Sequence, residues 1–249
     1  MDELTSFLGF QVKQSQEGIF ISQTKYASNL VKKFNVALSK PAQTPVSRST
    51  KLSKDTIGKS VDQTLYRSII GSLLYLTASR PDIAFSVCVC ARYQADPKES
   101  HLSAVKRILK YINDTLDFRI FYSKDTNASL AGYSDVDWAG YSDDKKSTSG
   151  GCFYLGTNLV AWHSKRHNDI SLSTTEAEYI AAGSCCTQLL WMKQMLVDYR
   201  LEQESMTIFC DNMSAINISK NPVQHFRTKH IDICHHFIRD LVESNCVKL

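Results

Sequence analysis

The chain has 249 residues, of which 43% are hydrophobic and 22% are charged, and its formal net charge is +4. This composition excludes a disordered chain, and the longest apolar run, Ile83 to Ala91, is far shorter than the ~18 residues of a membrane span. The N-terminal residues lack the basic and apolar segments of a secretory signal. We therefore expect an intracellular protein, cytoplasmic or nuclear, that is not secreted and has no membrane partner.

The eight cysteines include no C-x-x-C pair, and in an unsecreted chain we expect reduced thiols rather than disulfides. The densest group of metal-ligating residue types extends from His225 to His236. Within it, His230 and Cys234 would lie at i and i+4 of a helix, but no second pair at zinc-finger spacing accompanies them. A zinc-binding module there is an alternative that predicts stoichiometric zinc in the purified protein.

Charge is distributed unevenly along the chain. Residues 1–126 contain 18 Lys and Arg against 11 Asp and Glu, whereas residues 127–249 contain 11 against 14. A basic first half is expected of a protein that contacts a polyanion, and an acidic second half would suit a metal-dependent site. Solvated surface charge is the simpler explanation of each half taken alone.

The first half is predicted to be mostly helical. Residues 39–60 are rich in Ser, Thr and Lys and contain two prolines, so we expect a linker that is too polar to pack. Around this linker the apolar pattern predicts, in chain order, a hairpin over 7–22, helices over 26–34, from Leu65 to Arg80-Pro81, over 83–93 and from Ser100, and a short strand over 119–122.

After residue 127 the pattern changes to the order β-β-β-α-β-α-α-β. We predict strands over 130–135, 151–155 and 159–163, a long helix over 173–199, a strand over 206–210, helices over 213–219 and 231–243, and a strand beginning near Val247. Three adjacent strands, followed by strands that alternate with helices, predict an α/β (α+β) mixed sheet with helices packed on it.

Acidic residues lie where these predicted elements begin or end. Asp135 and Asp137 close the first strand, Glu176 and Glu178 open the long helix, and Asp211 follows the next strand. Carboxylates that converge at one sheet edge can hold Mg²⁺, and two such ions about 3.5–4 Å apart can catalyse phosphodiester hydrolysis. Helix caps and surface charge are the alternative explanation of the same residues.

Several long segments identify a resemblance. GYSDVDWAGYSDDKKSTSGGCFYLG, LVAWHSK, LSTTEAEYIAA, CDNMSAI and KNPVQHFRTKHIDICHHFIRD resemble, in order over 130–245, the RNase H domain of copia-type retrotransposon Pol polyproteins. The first half is similar to the region that joins reverse transcriptase to RNase H. The resemblance implies the end of a polymerase palm with a primer-grip-like hairpin (1–38), a linker with thumb and connection (39–126), and an RNase H-like domain incomplete at its C-terminus (127–249).

The resemblance also implies a site and a reaction. Asp135, Glu178 and Asp211 match the family's catalytic carboxylates, which hold two Mg²⁺ ions, with Mn²⁺ able to substitute. The substrate would be the RNA strand of an RNA–DNA hybrid, cleaved to a 3′-hydroxyl and a 5′-phosphate. Glu176 competes with Glu178 for its role, but positions two apart on a helix point in different directions.

Further residues have less direct roles in this interpretation. Asp137 could assist the metal site, and Asp232 is expected to cap the last helix rather than bind metal. Lys106, Arg107 and Lys110 are expected to contact the nucleic-acid backbone without reading sequence. The upstream polymerase domain of the same polyprotein is the expected protein partner.

Two features of the family pattern are not in this sequence. The fourth carboxylate, in a segment resembling QLADxxTK, and the polymerase motif Tyr-x-Asp-Asp are both absent. We therefore expect no DNA polymerisation. One alternative is a catalytically inactive remnant that at most binds the hybrid. Another is a purely structural connection subdomain, in which Asp135→Asn would change nothing measurable.

Overall fold

A computed structural model describes residues 4–47, 51–220 and 236–249 of the chain. The chain forms two compact units, each with its own hydrophobic core. The first comprises Met1–Asp125 with Tyr141–Asp143, and the second comprises Thr126–Gly140 with Asp144–Leu249. The described residues contain nine strands and seven helices, so the fold is mixed α/β as predicted. Among them, no helix has the length and apolarity needed to span a bilayer.

The first unit begins with an antiparallel sheet rather than a simple hairpin. Its strands, in sheet order, are β1 (Ser6–Phe7), β2 (Phe10–Gln14), β3 (Gly18–Ser22) and β4 (Ile120–Ser123). Phe7 to Val12 do not form one continuous strand, because Leu8 and Gly9 form a two-residue turn with φ of 47° and 83°. Positive φ at both positions is typical of a tight hairpin, and Gly9 adopts it without steric cost.

Four helices pack into the core of the first unit. They are α1 (Thr24–Lys33), α2 (Gln63–Leu76), α3 (Pro81–Ala91) and α4 (Glu99–Asp114). Pro81 was expected to end the second helix together with Arg80, but α2 already ends at Leu76 and Pro81 begins α3. Proline suits the first turn of a helix because its missing N–H would have no helical partner there.

The Ser/Thr-rich linker packs against α4, contrary to the expectation that it is too polar to do so. Leu52 contacts the core, and Arg107 donates from Nε to the carbonyl oxygen of Thr44 at 3.0 Å. The buried His101 ring accepts from the backbone N–H of Lys98 at 3.0 Å and lies 2.6 Å from the Ser53 carbonyl oxygen. Hydrogen bonds to α4 therefore satisfy polar groups of Thr44 and Ser53 in the linker.

A mixed five-stranded sheet forms the second unit. In sheet order the strands are β7 (Asn158–Arg166), β6 (Thr148–Leu155), β5 (Leu130–Asp137), β8 (Met206–Phe209) and β9 (Val247–Lys248). β5, β6 and β7 pair antiparallel, whereas β8 runs parallel to both β5 and β9. The helices are α5 (Thr174–Asp198), α6 (Met213–Lys220) and α7 (His236–Glu243), and the element order agrees with the predicted one.

Helix α5 lies close against the central strand β5. A Cβ atom at Gly132 would lie 2.6 Å from Cys185 Sγ and 3.2 Å from Leu189 Cδ1, so the glycine makes this approach feasible. The opposite face of the same helix carries Gly183, where a Cβ would lie in ordinary contact, 3.4 Å from Ile238 Cδ1 of α7. The long helix is therefore held between the sheet and α7.

Replacing Gly132 by Ala is expected to lower the free energy of unfolding of the second unit by about 1–3 kcal/mol, because the added methyl group overpacks the helix–sheet contact. Urea unfolding followed by tryptophan fluorescence measures this, since Trp138, Trp162 and Trp191 all lie in that unit. Gly150→Ala is the matched control, because no atom lies within 4 Å of its added Cβ. Equal losses in both variants would contradict the packing argument.

Candidate active site

The parallel pairing of β5 with β8 brings two of the predicted carboxylates to one edge of the sheet. Tyr133 pairs with Phe209, and both strands run in the same direction from this pair. Asp135, which is still within β5, and Asp211, which follows β8, each lie two residues further along and therefore come to the same edge of the sheet. This is the edge at which the carboxyl ends of parallel strands commonly build binding sites.

Helix α5 adds the third carboxylate. Glu178 shares one helical face with buried residues that pack in the core of the second unit, namely Ala182, Cys185 and Leu189. Glu178 itself is only 6% exposed, although it is an acid. The charges of both Asp135 and Asp211 act on it, and a carboxylate oxygen of Asp211 lies within 4.8 Å of one of Glu178. Asp135 does not belong to this close group of donor atoms.

Glu176, in the first turn of α5, makes different contacts from those of Glu178. Its backbone N–H donates to Oγ of the N-cap Ser173 at 3.1 Å, and its own Oε2 accepts from the backbone N–H of Leu172 at 2.6 Å. These reciprocal bonds satisfy donors at the start of α5, as in a capping box. The geometry thus separates the two glutamates, which sequence left in competition: Glu178 faces the other carboxylates, and Glu176 stabilises the helix start.

Burial and neighbouring negative charge dominate the electrostatics of Glu178. Burial, then Asp135 and then Asp211, raises its pKa to about 7, against the opposing effect of a hydrogen bond from the backbone N–H of Val136. Its Oε2 atom has no hydrogen-bond partner in the described part of the chain. An unpartnered oxygen beside two more carboxylates is a suitable donor set for a divalent cation such as Mg²⁺.

Cys210 is the residue that sequence analysis did not assign to the site. Its Sγ, a carboxylate oxygen of Glu178 and one of Asp211 all lie within 4.8 Å of one another. Burial raises the pKa of the Cys210 thiol, the backbone N–H of Asn212 lowers it, and the carboxylates add smaller increases. The sequence feature that points to Cys210 is its position directly before Asp211. Zinc-finger spacing does not reveal it.

Among the described residues, those with less direct predicted roles are not part of this group of donor atoms. The Asp137 carboxylate covers Gly140 in the turn after β5, and it does not belong to the donor group formed by Glu178, Cys210 and Asp211. Asp232 and the His230–Cys234 pair lie outside the described residues. Their predicted roles therefore stay predictions.

The predicted nucleic-acid contacts lie on α4 in the first unit. Lys106, Arg107 and Lys110 line a cavity of about 680 Å³ between this helix, α3 and the linker, together with Lys40. No acidic side chain among the described residues lines it. Arg107 also donates to both oxygens of Thr44, so it holds the linker as well as contributing charge.

The raised pKa of Glu178 predicts a pH-dependent stability without added metal. Its pKa is about 7 in the folded chain and about 4.3 when unfolded, so the folded state binds more protons between these values. Stability should therefore fall by on the order of 3 kcal/mol as pH rises through this window. Glu178→Gln should remove this loss, whereas Glu176→Gln should retain it. Urea unfolding in EDTA at about pH 5 and about pH 8 measures the difference; an unchanged slope in Glu178→Gln would contradict it.

Comparison with known proteins finds relatives that align with most or all of the chain. The chain is 38% identical over all of its 249 residues to the "Retrovirus-related Pol polyprotein from transposon RE2" of Arabidopsis thaliana, and covers 17% of that protein. It is 37% identical over 252 aligned residues to the corresponding polyprotein from transposon TNT 1-94 of Nicotiana tabacum, covering 97% of this chain and 19% of the relative. The uncharacterized mitochondrial protein AtMg00810 of Arabidopsis thaliana is 35% identical over 185 residues, or 74% of this chain and 77% of its own length.

Relatives that are 37–38% identical over all or nearly all of this chain are thus retrovirus-related Pol polyproteins from transposons. No protein-family model matches the chain. The chain spans less than a fifth of the length of these two transposon polyproteins. The similarity to these polyproteins supports a retroelement origin of this segment.

Proposed function

We propose that the second unit is an RNase H-like domain that hydrolyses the RNA strand of RNA–DNA hybrids with Mg²⁺. The observation that carries this proposal is the convergence of Asp135, Glu178 and Asp211, from three different elements, on one sheet edge. The strand order, with three antiparallel strands followed by two parallel additions, supports the same assignment. The similarity to retrovirus-related Pol polyproteins from transposons is consistent with this proposal.

The carboxylates of this site define what the protein itself would contribute to hydrolysis. Mg²⁺, when bound, would activate a water molecule and neutralise charge at the scissile phosphate. Asp135 and Asp211 would provide exposed carboxylates, and the buried Glu178 would offer its unpartnered Oε2. The Val136 N–H, which donates to Asp135 Oδ1 at 2.8 Å and also bonds Glu178, would keep these two carboxylates oriented.

The test is cleavage of an RNA–DNA hybrid whose RNA strand is labelled at one end. With Mg²⁺ we expect RNA fragments that end in a 3′-hydroxyl, and no cleavage in EDTA. The same RNA as a single strand and a DNA duplex of the same sequence are the matched controls. Equal cleavage of the single strand, or no cleavage of the hybrid by the folded chain, would contradict the proposal.

The cavity on α4 supports a second candidate function, binding of a polyanion without hydrolysis. Lys40, Lys106 and Lys110 lie around it, and no described acidic side chain lines it. Each phosphate that a lysine neutralises adds about one unit to the salt dependence of nucleic-acid binding. Lys106→Gln with Lys110→Gln should therefore weaken hybrid binding and reduce the salt slope by about two, without changing sequence preference. Unchanged binding would exclude this surface.

A further inference from the structure

The candidate active site contains a donor of a different chemical kind from its carboxylates. Cys210 Sγ lies within 4.8 Å of donor oxygens of both Glu178 and Asp211. Oxygen-only sites suit Mg²⁺, whereas thiolates favour softer ions of the zinc and cadmium class. A site that combines one sulfur with two oxygens therefore offers such ions a ligand that Mg²⁺ does not use.

The distances are compatible with a single bound ion. Tetrahedral Zn²⁺ binds sulfur at about 2.3 Å and oxygen at about 2.0–2.2 Å, so its ligand atoms lie roughly 3.3–3.7 Å from one another. The three donors are within 4.8 Å, and a side-chain adjustment of about 1 Å would bring them onto one ion. Three protein ligands leave a fourth position for water, as in zinc sites that are not purely structural.

Glu178 provides the second, independent observation. Its side chain is 94% buried, since 6% is exposed, and its Oε2 has no hydrogen-bond partner among the described residues. A buried polar atom without a partner is unfavourable, and a cation is the group that best satisfies a carboxylate oxygen.

We infer that Cys210, Glu178 and Asp211 form a binding site for a thiophilic divalent cation, and that such an ion, once bound, excludes Mg²⁺. As the metal–sulfur bond forms, the thiol proton passes to solvent, and no electrons are transferred. Binding of the soft ion does not depend on nuclease activity. Its consequence, inhibition of hybrid cleavage by Zn²⁺, rests on the proposed function.

Titration with Cd²⁺ tests the binding, because each cadmium–thiolate bond adds an ultraviolet charge-transfer band. We expect Cys210→Ser to lose one such bond and to bind Cd²⁺ at least roughly tenfold more weakly at this site, the scale of effect seen when a supporting residue of a metal site is lost. Asp211→Asn should weaken the same band. Cys152→Ser and Cys234→Ser are the controls, and both should retain it. Cys210→Ala provides a second variant if Cys210→Ser does not fold.

A band that persists unchanged in Cys210→Ser, or no band in the unmodified chain, would overturn the inference. Zn²⁺ inhibition of Mg²⁺-dependent cleavage is the second measurement. Relative to its own uninhibited rate, Cys210→Ser should need at least about tenfold more Zn²⁺ for half inhibition. Cd²⁺ binding through Cys210 without any cleavage would contradict the proposed function alone, whereas cleavage with no Cys210-dependent band would contradict this inference alone.

Discussion

Glu178→Gln is expected to reduce Mg²⁺-dependent cleavage of an RNA–DNA hybrid by at least roughly 100-fold, the size of loss produced when a group that stabilises charge at the reacting centre is removed. Gln has nearly the same shape as Glu but no negative charge. The variant therefore keeps the packing of α5 on β5 and loses the carboxylate that faces Asp135 and Asp211. Initial rates at saturating Mg²⁺ with a labelled hybrid measure the effect.

Glu176→Gln is the matched control for this prediction. It makes the same chemical change two residues earlier, and a Gln oxygen can still accept from the backbone N–H of Leu172. We expect it to retain cleavage within about threefold, since capping effects act mainly on stability. Asp211→Asn should behave like Glu178→Gln. Similar activity in the two glutamine variants would mean that the three-carboxylate site does not carry the reaction.

Arg80→Met is expected to lower the free energy of unfolding of the first unit by about 2–3 kcal/mol, the cost of losing the hydrogen bonds of a buried charged donor. Arg80 is 3% exposed and donates from Nε and Nη2 to the Asp82 carboxylate, at 2.9 and 2.7 Å for the shortest contact of each. Its other donations go to the carbonyl oxygen and the hydroxyl of Thr115. The guanidinium also lies 5.6 Å from the Tyr111 ring centroid and 5.1 Å from that of Phe118.

Arg119→Met serves as the matched control. Arg119 is exposed and its guanidinium lies 5.5 Å from the Phe20 ring, so we expect a loss of at most about 1 kcal/mol. Far-UV circular dichroism during urea unfolding reports the helices of both units. Tryptophan fluorescence reports the second unit, which contains all three tryptophans. A large shift for Arg119→Met, or none for Arg80→Met, would show that the contacts of the buried Arg80 guanidinium do not hold α3 against the end of α4.

Sequence patterns were sufficient to predict the elements of the second unit and their order. Alternating apolar residues indicated β5, β6 and β7, and the spacing of Ala181, Cys185 and Leu189 indicated the buried face of α5. Patterns failed where the backbone turns within an apolar run, as at Leu8 and Gly9. They also failed for the linker, because its hydrogen bonds to Arg107 and His101 join residues about 50 to 60 positions apart.

The sequence by itself indicated the resemblance to transposon Pol polyproteins, the chain order of the elements in the second unit and the three candidate carboxylates near their ends. Only the tertiary structure distinguishes the contacts of Glu176 from those of Glu178. It also places Cys210 Sγ within 4.8 Å of donor oxygens of Glu178 and Asp211, and it raises the pKa of Glu178 to about 7. The physical reason is that the desolvation of a side chain and the field of its charged neighbours depend on distance in space. Asp135, Glu178 and Asp211 are separated by dozens of residues, and the parallel pairing of β5 with β8 under α5 is what brings their charges together.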